Sequence, residues 1–395
     1  MRVLLAGSGG REHALAWAIS RSPSLTELHA APGNPGIAAL AACHPVRAED
    51  PAAVASLARE LAIDLVVVGP EAPLVAGLAD ALREIGIAVF GPSAAAARIE
   101  GSKAFAKDVM EAAGVATART LPVARPPCVV KADGLAAGKG VWVCRTQAEL
   151  DAGLRAAQTL GQPFHVEELL EGPELSVFAL AAGEEAVALP PARDYKRIGD
   201  GDTGPNTGGM GSVSPLPDLA DADAPEILET VHRPVLRELA RRGTPFHGVL
   251  YAGLMRTRDG LRVIEFNCRF GDPETQSLLP RLDGDLLPLL AGDLAVELRV
   301  APRAAVTVVL AGRDYPARGD SGTPIEGIEE AEATGALVFH AGTALRDGAL
   351  VTNGGRVLDV VGVGETVADA RTAAYDAAAR IDFAGMRFRR DIADG

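Results

Sequence analysis

Residues 263–276 read VIEFNCRFGDPETQ, a β-strand pattern that ends in a carboxylate, an amide, an arginine and two further carboxylates. Residues two apart share one face of an extended strand, so Glu265 and Asn267 are expected to project together. The residues beside them, Ile264 and Phe266, are expected to face a core. Hard cations such as Mg²⁺ bind oxygen atoms and keep waters and substrate phosphates as their other ligands. The segment therefore predicts a metal-binding strand, the alternative being a half-exposed strand that ends in a polar turn.

The composition is that of an ordinary globular chain. It has 395 residues, of which 48% are hydrophobic and 23% charged, and this length predicts about two to four domains. The net charge of −14 disfavours nucleic acid and anionic membranes as partners. The four cysteines are far apart and without CxxC spacing, which favours a reducing cytoplasm over a disulfide framework or structural zinc. Cys268 is expected to be a small core residue rather than a nucleophile.

The sequence pattern at the start of the chain, and the lengths of its apolar runs, bear on targeting and on membrane insertion. The opening MRVLLAGSGG passes directly into a strand pattern, and no apolar run reaches about 18 residues. We therefore expect no leader and no membrane span.

The pattern of elements predicts a multidomain α/β and α+β protein. Short apolar runs alternate with helical stretches through residues 1–100, which predicts a parallel α/β domain. Residues 101–312 are expected to form a two-lobed core, with a small lobe at about 120–190 that includes the strand pattern LSVFALAAG. Residues 313–395 are expected to form a small C-terminal α+β domain.

The first glycine loop, AGSGGREH, lies between a strand and a helix. The backbone N–H groups at such a helix start favour an anion, although a tight turn alone would also require small residues. A dinucleotide fingerprint needs glycine three positions after Gly9, where this chain has Glu12. An NAD enzyme is therefore not expected.

The second glycine loop, ADGLAAGKGV, does not have the spacing of a P-loop, because Gly140 stands where Ser or Thr would bind magnesium. It follows one strand pattern and precedes another, so it is expected to be a hairpin that closes over phosphates with Lys139. Lys131 interrupts the preceding apolar strand. A buried ammonium needs an anion, so Lys131 is a candidate phosphate ligand, unless it lies at an exposed sheet edge.

These segments together resemble the ATP-grasp ligases. Lys131, the glycine loop, the connector VEELLEGPE and the EFN strand occur in the order found in that superfamily, which clamps ATP between two α+β lobes. Further motifs narrow the resemblance to the phosphoribosylamine–glycine ligase family over essentially the whole chain: GSGGREHALAW, VVGPEAPLVAG, GPSAAAARIEGSKAFAK, DTGPNTGGMGS, EFNCRFGDPETQ and VTNGGRVLDVVG.

The resemblance implies a reaction and its site. Glycine, 5-phosphoribosylamine and ATP would give 5-phosphoribosylglycinamide, ADP and phosphate through glycyl phosphate, with Mg²⁺ or Mn²⁺ bound by Glu265 and Asn267. The residues implied in catalysis are Arg269, Lys131 and Asp194. Those implied in ATP binding are Lys103, Lys131, Gly134, Gly138, Lys139, Gly140, Glu167, Glu168, Leu170 and Glu174. Among these, the stretch from Glu167 to Leu170 would hydrogen-bond adenine through its backbone, and Glu174 would bind the ribose. Those implied in binding the substrates are Gly10, Arg11, Glu12, Glu71, Asn206, Thr207, Gly208, Gly209, Met210, Gly211 and Arg269. The resemblance also implies a monomer.

Two departures from the family pattern stand out. The stretch DYKR has Tyr195 where the family usually has histidine, and the small lobe is short between Thr120 and Cys128. We interpret the shortening as trimmed surface loops. His13, inside the first helix, is equally compatible with a packed or capping residue and with a substrate contact.

Two other functions remain open at this point. The same fold could serve another carboxylate–amine ligase or a carboxylase of nucleotide synthesis. A nucleotide-binding regulatory protein without catalysis is opposed by the presence of the lysines, the metal-binding strand and both glycine loops.

Overall fold

A computed structural model describes residues 1–134 and 140–394. The N-terminal part is a five-stranded parallel sheet in the order β3-β2-β1-β4-β5, as predicted. The strands are β1 (Arg2–Gly7), β2 (Glu27–Pro32), β3 (Ala42–Cys43), β4 (Leu65–Val68) and β5 (Ala88–Phe90). The helices are α1 (Gly10–Ser20), α2 (Pro35–Ala38), α3 (Pro51–Glu60), α4 (Glu71–Val75) and α5 (Leu78–Glu84). β4 is aliphatic at every position and β1 is aliphatic from Val3 to Ala6, as expected for strands that helices cover on both faces.

Two helices lead from this sheet to a small three-stranded antiparallel sheet. They are α6 (Ala94–Gly101) and α7 (Lys103–Ala113). The small sheet, in the order β7-β6-β8, contains β6 (Cys128–Ala132), β7 (Val141–Cys144) and β8 (Phe164–Glu168), and it is covered by α8 (Gln147–Thr159). The two strands predicted on either side of the second glycine loop pair antiparallel, as in a hairpin, and residues 135–139 lie outside the described residues.

The strand after β8 was predicted to belong to the small lobe, and its pairing shows that this was wrong. LSVFALAAG lies in β9 (Glu174–Ala182), which pairs along its length with β15 (His247–Thr257) and not with the small lobe. The small sheet therefore ends at Glu168. An apolar strand pattern does not say which partner it will pair with, because pairing is decided by tertiary contacts.

The larger lobe is built on a four-stranded antiparallel sheet in the order β10-β9-β15-β16. Its remaining strands are β10 (Glu185–Ala188) and β16 (Gly260–Asn267), and short strands follow β10 along the chain: β11 (Arg193–Asp194), β12 (Arg197–Gly199), β13 (Thr203–Asn206) and β14 (Gly211–Ser214). The helices are α9 (Ala224–Ile227), α10 (Arg233–Arg241), α11 (Glu274–Leu278) and α12 (Leu286–Leu290), with β17 (Leu282–Asp283) and β18 (Arg299–Val300) pairing beside α12.

The C-terminal part contains two antiparallel sheets. Its elements are β19 (Ala304–Ala311), β20 (Asp320–Pro324), α13 (Ile328–Glu332), β21 (Leu337–His340), β22 (Thr343–Arg346), β23 (Ala349–Gly354), β24 (Arg356–Gly364) and α14 (Val367–Ala378). The larger sheet has the order β11-β14-β19-β24-β21, so it includes two strands from the stretch DYKR to GMGS. β19, which ends just before the predicted boundary at residue 312, bonds β14 on one side and β24 on the other. The domain limits themselves stay a prediction.

The N-terminal and C-terminal parts meet at the start of α1. The backbone N–H of His340 donates to Nδ1 of His13 at 2.7 Å, and Asn34 donates to the His340 carbonyl at 2.7 Å. Burial, together with His340, lowers the pKa of His13 to about 3, so this ring is neutral. Two interpretations of His13 were left open, a packed or capping residue and a substrate contact. Its position favours a packed residue at the contact between the two parts.

No helix among the described residues is long and apolar enough to cross a membrane.

Candidate active site

The predicted metal-binding strand is β16, and a bulge shapes its end. Glu265 pairs with Gly253 and Val263 pairs with Leu254, which leaves Ile264 as the extra residue. Ile264 was predicted to face the core, and this was wrong: its side chain is only partly buried, and its carbonyl accepts from Lys131 Nζ at 3.0 Å. Phe266 and Cys268 are buried as predicted.

The two candidate metal ligands differ in their surroundings. The Glu265 side chain is 39% exposed and lies 3.9 Å from Lys196 Nζ, whereas Asn267 is buried and its Oδ1 accepts from Arg269 at 3.2 Å. No group of three or more His, Cys, Asp or Glu side chains among the described residues could hold a metal ion. Two protein oxygens still suffice for Mg²⁺ when phosphates and waters supply the remaining ligands.

Lys131, the candidate phosphate ligand on β6, is buried and paired. Its Nζ lies 2.8 Å from Glu167 Oε2 on the neighbouring strand β8. The other carboxylate oxygen of Glu167 is 2.8 Å from Lys107 Nζ and 2.9 Å from His165 Nε2. Burial raises the pKa of Glu167, but His165, Lys131 and Lys107 outweigh burial and bring the pKa to about 2.

Lys103 joins α7 to the glycine loop. Its Nζ donates to the Gly134 carbonyl at 3.1 Å, and its backbone N–H donates to Asp133 at 2.6 Å. Burial and the nearby Lys131 ammonium lower the pKa of Lys103. Lys103, Lys131 and Gly134 thus lie together as predicted. Gly140 directly precedes β7, the second strand of the hairpin. The predicted loop residues Gly138 and Lys139 lie outside the described residues.

The connector after β8 begins at Glu168, which is bonded to Arg119. The backbone N–H of Glu168 donates to the Arg119 carbonyl at 3.0 Å, and the Glu168 carboxylate pairs with the Arg119 guanidinium at 2.7 Å. Leu170 is partly buried two residues further on. Glu174, the candidate ribose ligand, pairs with Lys196 Nζ at 2.7 Å.

Lys196 is a functional candidate that sequence reasoning did not assign. It lies between Glu174 and Glu265, that is, between the candidate ribose and metal ligands. Burial lowers the pKa of Lys196, but these two carboxylates outweigh burial and raise the pKa well above its ordinary value. Its neighbour Tyr195 lies away from this cleft, because the Tyr195 hydroxyl accepts from the Ala393 N–H at 3.0 Å.

Arg269 is held from the side of the N-terminal sheet. Its guanidinium lies 3.3 Å from Glu71 and 3.0 Å from Glu100. Burial would lower the pKa of Arg269, but Glu100 and Glu71 outweigh it and raise the pKa. Glu100, which also accepts from the Cys268 N–H at 2.8 Å, was not predicted as a site residue.

The first glycine loop converges on the same place. Arg11 donates to the Phe270 carbonyl at 3.1 Å and pairs with Glu12 at 2.5 Å. Glu12 in turn accepts from the Gly9 N–H at 2.6 Å, so it closes the turn into α1, and Gly10 lies against Asp359. Both Arg11 and Glu12 are buried. The predicted residues Gly10, Arg11, Glu12 and Glu71 therefore lie near Arg269.

The second predicted substrate segment, Asn206 to Gly211, turns between β13 and β14. The Gly209 N–H donates to Thr207 Oγ1 at 3.0 Å, and Thr207 donates to the Lys196 carbonyl at 2.8 Å. Gly209 has φ +110°, and a Cβ there would lie 2.3 Å from Pro273, so only glycine fits. Met210 is fully buried in the turn.

A cluster of charges ties this turn to the C-terminal sheet. Arg356 donates to the Gly208 carbonyl at 2.5 Å and the Asp272 carbonyl at 2.8 Å, and it pairs with the Asp272 carboxylate at 2.9 Å. Gln276 bridges Asp272 and Asp359. Arg356, Asp272 and Asp359 all fall inside motifs quoted above, but nothing in those motifs indicates that they touch.

Asp194, the predicted catalytic carboxyl, lies beside this turn. Its Oδ1 is buried and has no hydrogen-bond partner in the described residues. Burial and the nearby Glu274 carboxylate raise the pKa of Asp194 well above its ordinary value.

Family models match almost the whole chain. The N domain of phosphoribosylglycinamide synthetase matches residues 1–100, its ATP-grasp (A) domain residues 101–275, and its C domain residues 305–395. This chain belongs to the phosphoribosylglycinamide synthetase family. The family confirms the ATP-grasp fold predicted from the motifs, and members of that fold bind ATP and a divalent metal.

The names of individual relatives agree with this family assignment. A phosphoribosylamine–glycine ligase from Streptomyces coelicolor is 52% identical over 100% of this chain and 99% of its own length. One from Agrobacterium fabrum is 50% identical over 99% of this chain and 98% of its own length. The crystal structure of phosphoribosylamine–glycine ligase from Thermotoga maritima has a TM-score of 0.84 at 35% identity, covering 99% of this chain and 100% of that one.

More distant structures share only the fold. The biotin carboxylase domain of 2-oxoglutarate carboxylase from Hydrogenobacter thermophilus, solved with MgADP and bicarbonate, has a TM-score of 0.72 at 18% identity, and the alignment covers 98% of this chain and 91% of that one.

Proposed function

We propose that this chain ligates glycine to 5-phosphoribosylamine with ATP, giving 5-phosphoribosylglycinamide, ADP and phosphate in purine biosynthesis. A carboxylate is a poor acyl donor, and phosphorylation to glycyl phosphate supplies it with a leaving group. The single observation that carries the proposal is the contact between Lys131 Nζ and the Ile264 carbonyl. It places a cation of the small lobe beside the strand that carries Glu265 and Asn267.

The residues present fit a divalent metal. Glu265 and Asn267 offer a carboxylate and an amide oxygen at the end of one strand, and hard cations prefer such ligands. These two residues would hold Mg²⁺, with Mn²⁺ as the substitute. When bound, the ion neutralises charge on the phosphates.

The nucleotide lies between the two lobes in this proposal. Lys103 and Lys131 hold the phosphates, and the loop from Gly134 to Gly140 closes over them. The backbone of residues 167–170 bonds adenine, and Glu174, oriented by Lys196, accepts from the ribose hydroxyls. Exclusion of water protects the acyl phosphate from hydrolysis.

The two remaining substrates are assigned to the other side of Arg269. The planar guanidinium of Arg269 binds the glycine carboxylate or the charge that develops on the transferred phosphoryl group. The sugar phosphate of 5-phosphoribosylamine lies between Gly10, Arg11, Glu12 and Glu71 on one side and residues 206–211 on the other. Asp194 is assigned as the acceptor of the proton that the attacking amine releases, since its buried Oδ1 has no hydrogen-bond partner in the described residues.

The test is ADP release with Mg²⁺-ATP, glycine and fresh 5-phosphoribosylamine, omitting each in turn, with the product identified by mass. We expect dependence on all three and a product with the mass of 5-phosphoribosylglycinamide. Glu265→Ala and Lys131→Ala should each abolish turnover while circular dichroism stays unchanged. Normal turnover in both variants would refute the site assignment, and bicarbonate-dependent ADP release without glycine would identify a carboxylase.

The same proposal includes a monomer that works in the cytoplasm and needs neither nucleic acid nor membrane. The four cysteines form no disulfide, which suits a reducing compartment. Light scattering at the concentration used for the assay tests the monomer directly, and a dimer mass would overturn it.

A further inference from the structure

Lys107 lies on helix α7, outside both glycine loops. It was not among the residues predicted for the site. Its Nζ lies 2.8 Å from Glu167 Oε1, donates to Thr117 Oγ1 at 3.2 Å, and also donates to the Ala118 carbonyl. The Lys107 side chain is 18% exposed and that of Glu167 only 2%. This contact is therefore a largely buried one and not a mobile surface pair.

The Glu167 carboxylate is shared between two lysines. Lys131 lies 2.8 Å from one oxygen, and Lys107 lies at the same distance from the other, which also contacts His165 Nε2 at 2.9 Å. With Glu167 as the sole partner of Lys131, the pair would be neutral and would attract a phosphate only weakly. With Lys107 present, two ammonium groups and one carboxylate leave a net charge of +1 at this place.

That net charge matters because the cluster is desolvated. A unit charge acts more strongly on a phosphate in a partly buried site than on the surface, where water and salt screen it. Burial lowers the pKa of Lys107, and the Glu167 carboxylate opposes that effect.

We propose that Lys107 is a positioning residue for the nucleotide phosphates: by sharing Glu167, it leaves Lys131 with positive charge to offer to them. Lys107 reaches the phosphates only through this network and is not itself a phosphate ligand. The inference rests on the proposed binding of ATP at Lys131.

The experiment compares the binding of Mg²⁺-ATP with that of adenosine by titration calorimetry. Lys107→Met keeps the length of the side chain and removes its charge. We expect it to raise the Kd for ATP roughly tenfold, in keeping with one nearby unit charge, and to change the Kd for adenosine less than about twofold. Lys107→Arg should stay within about threefold of the parent for both ligands, because the charge is retained.

Two further variants separate charge from structure. Arg155→Met removes one charge from an exposed position of the same lobe, and it should leave both affinities unchanged. The double variant Lys107→Met with Glu167→Gln restores the net charge of +1 at the cluster. It should therefore recover most of the ATP affinity that Lys107→Met alone loses.

The outcomes are distinct. Equal losses of ATP and adenosine affinity in Lys107→Met, or no recovery in the double variant, would show a structural role for Lys107 and overturn the inference. An unchanged ATP affinity would overturn it as well. Failure of the parent protein to bind ATP would instead defeat the proposed function. Should Lys107→Met not fold, the double variant and Lys107→Arg still decide the matter through their ratio of ATP to adenosine affinity.

Discussion

Asp359 is buried at the junction between α1, α11 and the C-terminal sheet, and replacing it with asparagine should make the protein more stable above neutral pH. Its side chain is 1% exposed, one oxygen accepts from Gln276 at 2.9 Å, and the other has no hydrogen-bond partner in the described residues. Burial and the nearby Asp272 carboxylate raise the pKa of Asp359 to about 7, against the opposing effect of Arg356.

The size of the effect follows from the difference in proton binding between the folded and the unfolded chain. The unfolded chain loses the Asp359 proton near pH 3.8, whereas the folded chain keeps it until about pH 7. The unfolded state therefore binds fewer protons between these values, so this group makes the free energy of unfolding fall as the pH rises. Raising the pKa from 3.8 to about 7 corresponds to a loss of about 4 kcal/mol above pH 7. Asparagine keeps the acceptor for Gln276 and never ionises, so it escapes this loss.

The assay is urea unfolding of the parent and of Asp359→Asn at pH 4.5 and pH 8, with the free energies extrapolated to water. We expect a gain of roughly 2 to 4 kcal/mol at pH 8 and a gain several-fold smaller at pH 4.5. Asp376→Asn, at an exposed position of α14, removes the same charge and should change stability by less than about 0.5 kcal/mol at either pH. A loss of stability at pH 8 in Asp359→Asn would refute the reasoning, because the buried carboxylate would then be stabilising in its charged form.

Three further predictions concern other side chains. Arg281 is 2% exposed and pairs with Asp221 at 2.6 Å, so Arg281→Met should cost about 3 to 5 kcal/mol in urea unfolding, whereas Arg299→Met at an exposed pair should cost less than about 1 kcal/mol. Tyr195→Phe should cost about 1 kcal/mol and leave kcat within about twofold, because the hydroxyl bonds the chain near its C-terminus; a large loss of kcat at unchanged stability would contradict this. The pKa of His13 is lowered to about 3, so stability from this group is lost as the pH falls below 6.5, and His13→Gln should flatten the decline between pH 6.5 and 4. An unchanged decline in that variant would exclude His13 as its source.

Local pattern was sufficient for the parts of the site that lie on one element. Glu265 and Asn267 share a strand, and the hairpin around the second glycine loop follows from two apolar runs and the turn between them. The parallel N-terminal sheet follows in the same way, because short apolar runs that alternate with helical stretches favour a parallel sheet with helices on both faces. The bulge at Ile264 was not foreseen, since an extra residue in one strand depends on the register of its partner.

Contacts between distant segments could not be read from the chain. Lys107 and Glu167 are 60 residues apart, and Arg269 meets Glu71 and Glu100 only when the N-terminal sheet docks on the larger lobe. The pairing of β9 with β15 has the same origin. An apolar strand or a lone charge has many possible partners, and only the packed fold selects one.

The sequence by itself determined the local elements and motifs of this protein. These are the βα alternation, the glycine turns, the strand with Glu265 and Asn267, and the motifs that resemble one ligase family. These are local features, because they depend on residue type, spacing and backbone freedom. The tertiary structure alone decided which charges share a partner, such as Glu167 between Lys107 and Lys131, and which side chains lose water, such as Asp359. The physical reason is that desolvation and ion pairing depend on atoms brought together from several domains, and these set the pKa values and the net charge at the site.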